Sequence, residues 1–138
     1  MKKYFLTTFV IALFAIGFAS SEASEEEKAF QGTYVLTDAD GVKWTFTFKC
    51  GDPTNQVTAI REGMSEDDMY YGKWSGSTKA TLVDFGDFHA GDPKLRFPDG
   101  VINLAGEHLY VSDEGWLYKG HDYLESKNPN KRIKITKQ

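Results

Sequence analysis

The stretch FQGTYVLTDADGVKWTFTF, residues 30–48, decides the fold. Within it Val42, Trp44, Phe46 and Phe48 alternate with Lys43, Thr45, Thr47 and Lys49. Successive side chains of a β-strand point to opposite faces, so this segment has one apolar face and one wet face. That pattern belongs to an antiparallel strand laid over a core, not to a strand buried on both sides. Residues 32–37 supply its partner. Asp38-Ala39-Asp40-Gly41 supplies the turn, because Asx side chains bond to nearby backbone and Gly accepts a positive φ.

Working outward, strand follows strand. Further strands are expected at 56–61, 69–74, 79–85, 95–97, 101–104, 109–111, 116–119 and 132–136. Pro98-Asp99-Gly100 and Ser112-Asp113-Glu114-Gly115 read as hairpin turns, and a longer Gly- and Asp-rich loop spans 86–93. Glycine and Asx turns at this spacing indicate an all-β chain of about eight to ten antiparallel strands. Short links favour an up-and-down meander. Its edges must be hidden, either by closure into a barrel or by pairing two sheets in a sandwich.

The chain begins with Lys2 and Lys3, an apolar run from 4 to 18, and the small residues of Ala19-Ser20-Ser21-Glu22-Ala23. This order is that of a secretory signal peptide, and the run is short for a spanning helix, which needs about 20 apolar residues. Cleavage after Ala23 is expected, with Ala19 the other fitting position. Residues 24–30 then form a flexible acidic lead-in, with a single helical turn over 24–28 as the alternative, and 31–138 a single β domain. An exported protein, periplasmic or extracellular, is the consequence, with no transmembrane helix left after cleavage. The net charge of −4 becomes −5 once Lys2, Lys3 and Glu22 are removed. Such a chain is not suited to holding nucleic acid by phosphate neutralisation. Cys50 is the only cysteine, so no internal disulfide is possible, and it reads as a small buried apolar residue.

Motifs for chemistry are weak. Asp38-x-Asp40-Gly41 lacks the further ligands of a calcium loop. His89, His108 and His121 show no paired metal-ligand spacing, so no metal or other cofactor is expected. Glu66-Asp67-Asp68 are neighbours in one loop, whereas glycoside hydrolysis needs two carboxyls facing across a sugar. No catalytic residue is assigned. The aromatic residues carry more information. Tyr70-Tyr71 and Trp116-Leu117-Tyr118 put bulky groups on both faces of a strand. A covering partner, an interior ligand cavity and a thick core would each account for that.

Gly32-Thr33-Tyr34, following a Glu/Lys/Ala lead-in, resembles the Gly-x-Trp that opens the first strand of lipocalins and related calycin barrels, with Tyr in place of Trp. The resemblance implies a meander barrel closed by Gly32, Tyr34 and a basic residue of the last strand, Arg132 or Lys131. It also implies non-enzymatic binding of a small apolar or aromatic ligand, with Tyr34, Trp44, Phe46, Trp74 and Trp116 as walls. Loops 62–68 and 86–93 would form the rim. Phe48-Lys49-Cys50 and Trp116-Leu117-Tyr118-Lys119-Gly120 with Leu124 also resemble the periplasmic inhibitors of C-type lysozyme. Those proteins use a disulfide and a Ser-Gly-x-x-Tyr loop, which this chain lacks. That likeness implies the alternative: a protein-interaction module, an inhibitor or envelope-assembly component with a filled core and an extracytoplasmic protein as partner.

Overall fold

The computed structural model describes residues 23–77, 79–86, 94–120 and 122–138. The segment 1–22, His89, His121 and most of the loop 86–93 lie outside the described residues. Strand β1 (Gly32–Thr37) pairs with β2 (Lys43–Lys49) in the register Tyr34↔Phe46 and Leu36↔Trp44. This places Tyr34, Leu36, Trp44, Phe46 and Phe48 on one face, and all five are buried. The turn is held by Asp38, whose Oδ1 accepts the N–H groups of Asp40 (2.9 Å) and Val42 (3.0 Å). Its Oδ2 accepts Nε1–H of Trp44 at 3.2 Å. A buried carboxylate on a hairpin turn is thus spent on satisfying the turn and the largest side chain of the core.

The chain continues through β3 (Asn55–Arg61), β4 (Tyr70–Gly76), β5 (Ala80–Asp84), β6 (Lys94–Phe97), β7 (Gly100–Asn103), β8 (His108–Ser112), β9 (Trp116–Lys119) and β10 (Arg132–Lys137). Eight of these close into an antiparallel barrel in the order β1-β10-β9-β8-β5-β4-β3-β2. Closure removes the exposed edges that a sandwich would leave. The all-β barrel expected from the sequence is therefore the fold. The meander is broken once. β6 and β7 leave the wall as a separate hairpin, and β5 pairs directly with β8.

That hairpin closes one end of the barrel. Its Leu95 and Phe97 are fully buried in the common core. The Arg96 carbonyl accepts the Ala39 N–H at 2.9 Å, and the Arg96 guanidinium pairs with Asp40 at 3.0 Å, so β6 is seated on the β1–β2 turn above Trp44. Asp99 binds Lys119 at 2.8 Å, which ties the hairpin tip to the end of β9.

The opposite end is closed by α1 (Glu25–Phe30). The acidic stretch, for which a flexible lead-in or a single helical turn is expected, is a six-residue helix with a complete capping box. Ser24 Oγ accepts the Glu27 N–H, and Glu27 Oε1 accepts the Ser24 N–H, both at 3.0 Å. Six residues are too few to be stable alone. The helix depends on docking: Glu27 Oε2 accepts the Gly76 N–H at 2.7 Å, Lys137 Nζ donates to the Ala29 carbonyl at 2.9 Å, and Tyr34 Oη donates to the Phe30 carbonyl at 2.5 Å. Among the described residues no helix is long and apolar enough to cross a membrane.

Substituting Asp38→Ala leaves the Trp44 indole N–H and two backbone N–H groups without their acceptor. Equilibrium urea unfolding should show a loss of about 2–4 kcal/mol, with Asp38→Asn losing less. An unchanged midpoint for Asp38→Ala would exclude this account of the turn.

Candidate functional site

Inside the barrel, aromatic rings form a continuous column. Phe30 lies against Tyr34 (4.8 Å between centroids), Phe48 (4.9 Å) and Trp74 (5.4 Å). Phe48 is followed by Phe46 at 6.4 Å, and Phe46 by Trp44 at 6.4 Å. Phe85 meets Phe46 from the side at 6.0 Å. Spacings of 4.5–7 Å are those of contacting rings, so the axis is occupied by the chain's own side chains. Trp74 Nε1 donates to the Gln56 carbonyl at 2.9 Å, and Tyr34 is bonded to the chain at Phe30, which satisfies these polar tips internally. Burial pushes the Tyr34 hydroxyl up to about 12, so it stays protonated.

Of the five expected wall residues, Tyr34, Trp44, Phe46 and Trp74 belong to this interior group. Trp116 does not. It faces outward from β9, opposite the inward Leu117, with the Arg132 guanidinium stacked 3.7 Å over its ring and Lys134 at 5.0 Å. The expected closure by Arg132 is corrected at the same point. β10 runs antiparallel to β1, so the start of β1 meets the end of β10: Tyr34 pairs with Lys137, and Lys137 Nζ lies 6.0 Å over the Tyr34 ring. Its side chain also packs over Gly32, where a Cβ would come within 2.8 Å of Lys137 Cε. Lys137 therefore stands where the resemblance called for a basic residue, and Arg132 serves the outer wall.

On that outer wall the strand registers place five residues in one row: Ser75, Leu82, Tyr110, Tyr118 and Arg132, contributed by β4, β5, β8, β9 and β10. Tyr110 and Tyr118 are stacked at 5.4 Å with planes 23° apart. A 3₁₀ helix, Tyr123–Lys127, folds back over β9 and stands Tyr123 up as a wall beside them. Asp122 caps this helix by accepting the Leu124 N–H at 2.9 Å. The buried Ser126 hydroxyl donates to the Tyr123 carbonyl at 2.6 Å, and Arg132 Nη1 donates to the Ser126 carbonyl at 3.1 Å. Gly120 permits the return: its φ is +129°, and a side chain there would strike the Glu125 carboxylate. The result is an open groove of about 370 Å³ lined by Ser75, Lys79, Leu82, Tyr110, Tyr118 and Tyr123 with their neighbours Ser77 and Ala80.

The groove is electrically mixed at its rim. Lys79 Nζ lies 5.3 Å from the Tyr123 ring centre, and Tyr123 Oη donates to Asp113 at 3.1 Å. Tyr118 is 2% exposed, and among the described residues its hydroxyl has no hydrogen-bond partner. Burial, then the nearby Tyr110, Tyr123, Asp122 and Glu125, push this hydroxyl up to about 12, so it remains a donor. The sequence had signalled this wall only through bulky residues on both faces of β9. It did not bring Lys79, Leu82, Tyr110 and Tyr123 to the same place.

His108 lies 3.5 Å from Asp84 on the surface, and among the described residues no three metal-ligating groups cluster. Comparison with family models, with curated proteins and with solved structures returns no match. The barrel is compatible with a lipocalin-like fold, on architecture alone.

Glu27 links α1 to the barrel and predicts a pH response at that end. Burial alone would raise its carboxyl, but hydrogen bonds from the Gly76 and Ser24 backbone, assisted by Asn55 and the Ser24 hydroxyl, outweigh burial and hold it below 4.5. A depressed folded value adds stability that is full above the unfolded value and is lost as pH falls through the folded one. Stability should therefore drop below about pH 4.5 in the wild type, and the drop should be smaller in Glu27→Gln. Identical pH profiles for the two proteins, measured by urea unfolding, would refute this linkage.

Proposed function

We propose that the protein is an exported, non-enzymatic binding module whose filled barrel is a scaffold and whose ligand rests in the outer tyrosine groove. The observation that carries this reading is the contrast between the two faces of one wall. The inward side chains of β8 and β9, Leu109, Val111 and Leu117, are packed into the core. The outward Tyr110 and Tyr118 border about 370 Å³ of open space. Small-ligand pockets begin near 300 Å³ and join apolar walls to a few polar groups. Export is supported by the basic start, apolar run and small residues of the first 23 positions.

A second reading is favoured by Phe30. This ring comes from a six-residue helix and occupies the barrel mouth against Tyr34, Phe48 and Trp74. A small apolar or aromatic ligand that displaced it would meet the same rings, in the manner of a lipocalin carrier.

Titration with an apolar fluorescent dye separates the two. The exterior reading expects no saturable binding to the native protein, and saturable binding once Phe30→Ala opens the mouth. Saturable binding to the wild type, with amide shifts at Tyr34, Phe46 and Phe48, would overturn the exterior reading and favour the carrier.

A further inference from the structure

We infer that the groove's ligand is a neutral saccharide, with a sugar ring laid against Tyr110 and Tyr123 and its hydroxyls bonded to Tyr118 and the flanking serines. This rests on the exterior reading above. Three observations carry it.

The first is the orphan hydroxyl. Buried tyrosine hydroxyls ordinarily find a partner, and one that lacks it marks a place where water or a ligand atom completes the bond. Tyr118 is such a group, 2% exposed and bordering the groove. A purely apolar ligand would leave it unpaired. The second is charge. Lys79 and Asp113 are backbone neighbours, the Asp113 N–H donating to the Lys79 carbonyl at 3.0 Å. Both meet Tyr123, Lys79 near its ring and Asp113 at its hydroxyl, while Lys127 Nζ lies 5.1 Å from the same ring centre. The carboxylates of Asp122 and Glu125 also lie near enough to act on the Tyr118 hydroxyl. An anion meets the carboxylates, and a cation meets Lys79 and Lys127, which already lie near the Tyr123 ring. A neutral ligand meets neither penalty. The third is the alternation of surfaces. The rings of Tyr110 and Tyr123 line the groove together with the hydroxyl-bearing residues Ser75, Ser77 and Tyr118. Ser77 Oγ donates to the Ala80 carbonyl at 2.6 Å, which leaves its oxygen as an acceptor. A pyranose offers the matching alternation, with C–H groups on its faces and hydroxyls around its rim.

The test is amide-resolved NMR titration of the exported chain with glucose, maltose, N-acetylglucosamine and its β1,4-linked disaccharide. Sialic acid serves as the anionic control and a proline-rich peptide as the rival for a tyrosine-lined groove. At least one neutral sugar should shift Ser75, Lys79, Leu82, Tyr110 and Tyr118 saturably. Tyr118→Phe, which removes only the hydroxyl, should weaken that binding about tenfold, and Tyr110→Ala at least as much. Tyr71→Ala, on the exposed outer face of β4 and outside the groove, should leave it unchanged. Melting temperature checks that each variant is folded. Unaltered affinity in a folded Tyr118→Phe overturns the proposal, as does the failure of every neutral sugar to shift the groove. Groove shifts with the proline-rich peptide and none with sugars overturn the saccharide but keep the exterior site. Sugar shifts confined to Phe30, Tyr34 and Phe48 overturn both.

Discussion

The rest of the structure depends on the column of rings Phe30, Phe48, Phe46 and Trp44 that runs through the barrel. An eight-stranded barrel has an interior just wide enough to be filled by side chains or to hold a single small ligand. Which of these occurs is a matter of side-chain volume. Here β2 alone contributes three large rings to one face, and each is 1% exposed or less. With those rings in contact, the neighbouring inward positions must be smaller. Val57 and Ala59 on β3 oppose Phe48 and Phe46 directly. Large against small is how a tapering interior is packed without voids.

A filled column also explains why both ends are sealed by pieces of chain that are not part of the wall. Trp44 at one end and Phe48 with Trp74 at the other would otherwise meet water. The β6–β7 hairpin brings Leu95 and Phe97 over the first, and α1 brings Phe30 over the second. Each seal is pinned by polar contacts to the wall: Arg96 with Asp40, Asp99 with Lys119, and Glu27 with Gly76. The surface pairs Arg96–Asp40 and Lys119–Asp99 add little energy individually. Their role is to fix where the apolar residues sit, and those residues supply the stability.

Much of this was legible in the sequence because the strands are amphipathic. The alternation in 42–49 fixes which face is wet, and the Asx-Gly turns fix where strands end. Three features were not legible, each for a physical reason. Leu95, Phe97, Ile102 and Leu104 alternate like any wall strands, so nothing local announces that β6 and β7 form a lid; long-range pairing of β5 with β8 decides it. The acidic stretch 24–30 is short enough to read only as a lead-in or a single turn, and docking through Glu27, Ala29 and Phe30 fixes it as a helix. Arg132 was assigned to barrel closure by resemblance, but register places Lys137 beside Tyr34. The groove was visible as an oddity, bulky residues on both faces of β9, yet Tyr110, Tyr118 and Tyr123 meet only after β8 and β9 pair and the 3₁₀ helix folds back.

The two surfaces of interest are mechanically connected. Ser77, Lys79 and Ala80 border the tyrosine groove, and the same residues border a smaller cleft of about 150 Å³ beneath Glu26, Glu27 and Phe30 of α1. Gly76, which donates to Glu27, directly follows Ser75, the first member of the outward row. A side chain at position 76 would come within 3.0 Å of Glu27 Cγ, so the helix sits close on the strand end. The link between β4 and β5 is therefore held from one side by α1 and forms the groove's rim on the other. Docking of α1 seals the aromatic column, and the residues it packs against on this side also border the groove. The helix is thus held by Glu27, Ala29 and Phe30 together, and its complete capping box supplies the local order that so short a helix needs to present those three groups to the wall.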